Sequence, residues 1–192
     1  MNSRAHNLIV RSLFVVALFA LATSATFAQA LNSNTATVTL NATLNESLTV
    51  AATPSNVNFT LLSGGTATGS APVAMTTSWI LKNSRTTVTL VGYFASATAA
   101  LSDGATTPTN IPTSEVLGQV TTGAPTSFTA FTQTAALGPA GAGLTLFTQA
   151  ISNTNRASSR NDNLNLEINL TSQPQLPAGS YTGTLNLQAQ AL

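Results

Sequence analysis

The stretch Asn163-Leu164-Asn165-Leu166-Glu167-Ile168-Asn169-Leu170 alternates polar and aliphatic residues without a break. Leu164, Leu166, Ile168 and Leu170 fall on one side; Asn163, Asn165, Glu167 and Asn169 fall on the other. A period of two is the mark of a β-strand with one face in a core and the other in water. A helix would scatter the four aliphatics around its circumference, because helical neighbours recur at three and four residues.

The same alternation recurs on both sides of this stretch. Residues 73–81 place Val73, Met75, Thr77, Trp79 and Leu81 in one register, and residues 86–95 answer with Val88, Leu90, Gly92 and Phe94. With Asn83-Ser84 between them, the spacing predicts a hairpin that puts Trp79 and Phe94 in the core. Residues 57–61, bounded by Pro54-Ser55 and Gly64-Gly65, read as a further strand, as do residues 144–151. A last strand over residues 180–191 carries Tyr181, Gly183, Leu185, Leu187 and Ala189 on one face. Between residues 96 and 143, proline and glycine punctuate the chain. Only residues 115–120 and 127–132 read there as short strands, while residues 135–143 and the polar residues 152–162 read as loops. Roughly eight to ten short strands, turns at about ten-residue intervals and no amphipathic helix after the N-terminal region predict an all-β fold, an antiparallel Ig-like Greek-key sandwich.

Residues 35–44 carry the alternation to the N-terminal side, with Ala36, Val38, Leu40, Ala42 and Leu44 on one face and Thr and Asn on the other. Glu46 interrupts the parity that Leu48 and Val50 would continue, so a break is expected near Asn45-Glu46. Two readings follow. These residues form the first strand of their own domain, or they are lent to another chain, filling an open groove with alternate side chains while the backbone pairs with an edge. Register would be firm in either case, because a slip by one residue turns Thr37, Thr39 and Thr43 inward.

The first thirty residues read as a secretory signal-peptide helix. Arg4 and Arg11 precede or flank the apolar run from Leu13 to Ala22, and Ala28-Gln29-Ala30 supplies small residues at a cleavage site. The run makes about 15 Å of helix, roughly half a bilayer core, so it is expected to be cleaved rather than to span a membrane. The expected organisation is therefore a signal over residues 1–30 and one sandwich domain over residues 31–192, with residues 31–45 as donor or first strand. The protein is expected to be exported, to the periplasm, the cell surface or the medium.

Composition narrows the chemistry. The chain has no cysteine, and its one histidine, His6, lies in the expected signal. The exported part would therefore lack the side chains that carry most nucleophilic, acid–base and transition-metal chemistry near neutral pH. Its charges are Lys82, Arg85, Arg156 and Arg160 against Glu46, Asp103, Glu115, Asp162 and Glu167. So even a balance builds neither a nucleic-acid surface nor a polybasic membrane anchor. Asp103-Gly104 and Asn161-Asp162-Asn163 read as turn chemistry, short of the ligand density of a calcium loop. Glu46, Glu115 and Glu167 are the carboxylates a glycosidase pair could draw on, but Glu167 faces outward on a regular strand. Arg156 to Arg160 reads as a solvated loop in preference to an anion contact. Trp79 shares its parity with core residues, against a sugar-stacking role for it or for Tyr93. No catalytic residue, metal or cofactor is expected.

Residues 34–44, then Leu48-Thr49-Val50 and Val57-Asn58-Phe59, together with the ending Pro177-Ala178-Gly179-Ser180-Tyr181-Thr182-Gly183-Thr184-Leu185-Asn186-Leu187, resemble secreted fimbrial-subunit-like proteins of Gram-negative bacteria. The resemblance implies an incomplete Ig-like sandwich that lends an N-terminal strand to its neighbour, with a periplasmic chaperone holding the groove beforehand. This chain departs from that pattern in having no disulfide and in ending Gln190-Ala191-Leu192 without aromatics. The function expected is a non-catalytic subunit of a surface fibre or coat whose partners are other copies of itself or related subunits. The alternative is a stand-alone secreted sandwich that binds a glycan or a protein.

Overall fold

A computed structural model describes residues 30–192, so all of the expected signal but Ala30 lies outside the described residues. The chain divides into two units, Met1–Ala42 and Thr43–Leu192. In the first, residues 30–42 form neither helix nor strand and are exposed. The strand expected over residues 35–44 is therefore absent from the structure. Alternation sets which side chains share a face, but a strand also needs a neighbour for its backbone N–H and C=O groups, and among the described residues none of residues 35–44 is part of a ladder.

The second unit is all-β and antiparallel, with no α-helix. Its strands are β1 (Ser47–Thr53), β2 (Thr66–Thr68), β3 (Val73–Ile80), β4 (Thr87–Tyr93), β5 (Leu101–Ser102), β6 (Asn110–Ile111), β7 (Val116–Val120), β8 (Thr129–Ala130), β9 (Gly143–Ala150), β10 (Ala157–Asn169) and β11 (Asn186–Ala191). One sheet runs β1-β3-β10-β7-β8, with β2 also on β10; a second runs β11-β4-β9; β5 and β6 form a separate pair. The 13-residue β10 is the spine of the larger sheet. It pairs with β3 through Leu164↔Val73, with β2 through Ile168↔Ala67, and with β7 through Leu166↔Gly118.

Both sheets feed one apolar cluster. Val73, Met75, Trp79, Leu164, Leu166 and Ile168 enter it from the larger sheet, and Val88, Leu90, Leu144, Leu146 and Phe147 from the smaller. Phe94 and Phe131 meet edge to face within it, centroids 5.3 Å apart. Trp79 and Phe94 are buried as expected. At Leu90/Val91 the ladder between β4 and β9 shifts register, and both residues are fully buried. The extra residue is Leu146 of β9, since Leu90 pairs with Phe147 and Val91 with Thr145, and the bulge lets the consecutive Leu146 and Phe147 both join the core.

Four further expectations need correction. β3 and β4 are not a hairpin: β3 pairs with β1 and β10, and β4 pairs with β11 and β9. Each has one apolar face, and the two faces bury more surface by meeting across the core than by lying side by side. Residues 57–61 are not a ladder strand, although Val57, Phe59 and Leu61 pack against the core at alternate positions. Their backbone is held by Asn58, whose carbonyl accepts the Ser70 N–H at 2.9 Å. Residues 157–162 are not loop but the first half of β10. The final strand begins at Asn186, while Thr182 forms an isolated bridge with Ser102.

Candidate functional site

The two sheets expose their edges unequally. On one side the outer edge of β9 is covered. Gly143 and Gln133 exchange backbone hydrogen bonds at 3.1 and 2.7 Å, the Ala124 N–H donates to Leu146 O at 3.1 Å, and the Thr145 N–H donates to Gln133 Oε1 at 2.9 Å. On the other side lie β1, bonded only to β3, and β11, bonded only to β4. Among the described residues no backbone hydrogen bond reaches the outer edge of either strand. Leu48 and Val50 of β1 and Leu187, Ala189 and Ala191 of β11 are partly buried against the core between them. Cα atoms of the two strands approach within 8 Å.

Backbone alternation shows which groups of β11 face away from β4. Leu192 and Thr87 exchange hydrogen bonds at 3.0 and 3.1 Å. In an antiparallel ladder, alternate residues point their N–H and C=O toward the partner and away from it. Leu187, Ala189 and Ala191 therefore turn their backbone groups to the outer edge. Neither β1 (Ser-Leu-Thr-Val-Ala-Ala-Thr) nor β11 (Asn-Leu-Gln-Ala-Gln-Ala) carries a charge or a proline. Those are the residues with which natural edges discourage pairing.

One end of this side is bridged by charge. Glu46, immediately before β1, accepts from the Lys82 N–H at 2.9 Å and from Arg85 Nε at 3.2 Å through Oε1, and from Arg85 Nη2 at 3.4 Å through Oε2. Lys82 Nζ stands 3.5 Å from Oε2. The hydrogen bond from Arg85, followed by that from the Lys82 backbone, holds the Glu46 carboxyl down to about 2 from an ordinary 4.5. Arg85 Nη1 also donates to Ala191 O at 3.3 Å. The sequence marked Glu46 as a break in parity and as one of three carboxylates a glycosidase pair could draw on; its role as an anchor depends on the turn at residues 82–85, which comes close only in the fold.

The donor-face residues Ala36, Val38, Leu40, Ala42 and Leu44 all lie outside secondary structure, and Val38, Leu40 and Leu44 are 83%, 89% and 79% exposed. The residues weighed for chemistry are dispersed among structural tasks. Asp103 Oδ1 accepts the backbone N–H groups of Ala105 and Thr109 at 3.1 and 3.0 Å, which lowers its pKa, Ala105 first. Asp162 is buried against Arg160, and Glu115 accepts from Ser172 Oγ at 2.6 Å. Glu167 is half-buried on β10 opposite Leu117. Trp79 donates from Nε1 to Asn155 O at 2.8 Å from within the core, and Tyr93 donates from its hydroxyl to Gln188 Oε1 at 3.0 Å. Arg156 donates to Lys82 O and Arg85 O at 2.8 and 3.2 Å, so it braces the turn instead of standing in a solvated loop. Among the described residues, no three His, Cys, Asp or Glu side chains are grouped to hold a metal ion, and no helix is long and apolar enough to cross a membrane.

Comparison with protein-family models, with curated proteins and with solved structures finds no match.

Proposed function

We propose that this chain is a non-catalytic structural subunit that assembles by strand addition, residues 35–44 of one copy joining the open edges of β1 and β11 in the next. The body is then an Ig-like sandwich with one strand position left for a neighbour. The observation that carries the reading is the contrast between the two sides: the β9 edge is covered by its own chain, and the β1 and β11 edges are bare, uncharged and lined with half-buried aliphatics.

The donor fits in length and in pattern. Residues 36–44, fully extended, reach about 30 Å, against about 24 Å for β1 and about 20 Å for β11 at roughly 3.4 Å per residue. Alternate side chains from Ala36 to Leu44 would enter beside Leu48, Val50, Leu187 and Ala189, leaving Thr and Asn in water. Each of Val38, Leu40 and Leu44, fully buried, contributes about 1.5–3 kcal/mol. The Tyr181 hydroxyl donates to Pro177 O at 2.9 Å. A tyrosine bonded a few residues upstream at the corner before a strand is a recurrent feature of Ig-like sandwiches.

On this reading the protein is exported, its partners are other copies of itself or related subunits, and a periplasmic chaperone is the natural holder of the bare edges before assembly. Comparing the full chain with a variant lacking residues 31–44, by light scattering and electron microscopy, tests it. Oligomers or fibres from the full chain only, with both chains equally stable to urea as monomers, support the reading. A full chain that stays monomeric at every concentration removes it.

A further inference from the structure

We propose that Arg85 is a latch on this site: its guanidinium ties the start of β1 to the end of β11, and a strand enters between them only when it lets go. The inference rests on the strand-addition reading above and adds a control to it.

Spacing sets the requirement. A strand hydrogen-bonded to both neighbours needs them about 9.6 Å apart, twice the inter-strand distance. Cα atoms of β1 and β11 come within 8 Å. The edges must part, and Arg85 is the side chain that spans them. It holds the Glu46 carboxylate through Nε and Nη2 and the Ala191 carbonyl through Nη1. Ala191 O faces the outer edge, so it is an acceptor that an added strand would use. The latch therefore both restrains the gap and occupies a pairing position.

The latch has a fixed base and a weak grip. Arg156 fastens the carbonyls of Lys82 and Arg85, so the turn that carries the guanidinium is held from the other side. The three bonds made by Arg85 are all long, between 3.2 and 3.4 Å, and its side chain is 41% exposed. Exposed ion pairs of this kind are worth little and weaken with salt. Such a contact slows entry without forbidding it.

The test measures uptake of an end-capped peptide of residues 34–45, labelled with an electrically neutral BODIPY fluorophore, by the full chain, followed by anisotropy. The peptide has no charged residue, so salt acts on the protein and not on the encounter. Arg85→Met keeps the aliphatic stem and is expected to take up peptide about two- to five-fold faster, the range that loss of a weak exposed pair allows. Raising NaCl from 0.05 to 1 M speeds wild type and leaves Arg85→Met unchanged. Lys82→Met removes a charge from the same cluster without touching Ala191 and leaves the rate as in wild type. Should Arg85→Met fail to fold, Glu46→Gln loosens the same grip and carries the test. Wild type and variant taking up peptide at one rate, or the variant more slowly, overturns the latch and leaves strand addition standing. No uptake by either protein overturns both.

Discussion

Arg160 and Asp162, two residues apart on β10, form a two-point ion pair turned toward the core, with Nε–Oδ2 at 2.7 Å and Nη2–Oδ1 at 2.9 Å. Thr122 Oγ1 donates to the same carboxylate at 2.6 Å, and the guanidinium lies 4.7 Å from the centroid of Phe147 on β9, in the other sheet. The pair therefore links the two sheets where the aliphatic alternation of β10 gives way to charge. The Asp162 side chain is 1% exposed, so its partners are its only solvation.

Asp162→Ala is expected to be the most damaging single change in this region. It leaves a partly buried guanidinium without its counter-ion, which costs about 3–5 kcal/mol, a large part of the roughly 5–15 kcal/mol that holds a domain together. Thr122→Val removes one hydrogen bond to a charged group and should cost about 1.5–3 kcal/mol. Urea denaturation followed by Trp79 fluorescence gives both values. The ranking fails if the two variants unfold at the same midpoint.

Glu46 makes a separate prediction about acid. Its folded pKa, about 2, lies below its ordinary 4.5. A depressed carboxylate adds stability that is complete above the unfolded value and is lost as pH falls through the folded value. The difference in melting temperature between wild type and Glu46→Gln should be constant above about pH 5.5, shrink below pH 4.5, and be mostly gone at pH 2, where about half of the folded Glu46 is protonated. A difference that keeps its full size at pH 2 would assign the effect to something other than the charge on Glu46.

How far the fold was readable depended on whether a segment's pattern was local. Residues 163–170 announce themselves because every inward residue is aliphatic. The first half of β10 keeps the same period, but its inward residues Arg160 and Asp162 solvate each other, which no apolarity pattern reveals. The pairing of β3 with β4 looked natural from their adjacency, and was decided instead by a core that needs one face from each sheet. The alternation of residues 35–44 was plain. That they join no ladder among the described residues is not written in their own pattern, because a ladder needs a partner edge as well as a period of two. The bare edges themselves were half legible, since Asn186–Ala191 carries no charge or proline, but only the fold shows β1 beside it.

Gly183 should tolerate no side chain. It lies between the Ser102–Thr182 bridge and β11, and a Cβ built there would collide with the carbonyl oxygen of Ala100, with the Leu101 side chain 3.1 Å away. The obstruction is backbone, so it cannot swing aside as a flexible side chain would. Gly183→Ala is expected to lose about 1–3 kcal/mol and to speed amide exchange at Ser102 and Thr182, whose N–H groups donate to each other's carbonyls at 2.9 Å. Gly104→Ala is the comparison: a Cβ there meets nothing, but φ is +70°, so its cost is local strain of about 1–2 kcal/mol with no effect on exchange at Thr182.

Leu40 and Leu144 separate assembly from folding. Both are leucines on an apolar face by alternation, yet Leu40 is 89% exposed and Leu144 is fully buried. Leu144→Ala opens a cavity beside Leu164 and Phe131 and should cost about 2–5 kcal/mol. Leu40→Asp removes nothing from the core and should leave monomer stability within about 0.5 kcal/mol. If residues 35–44 serve as a donor strand, that same substitution drives a carboxylate into an aliphatic gap between β1 and β11, where it finds no partner. Leu40→Asp should therefore abolish higher oligomers while the urea midpoint stays where it was, and Thr39→Asp, one residue away on the opposite face, should leave them intact. Equal loss of assembly at both positions would mean that the segment acts by general solubility and not by its register.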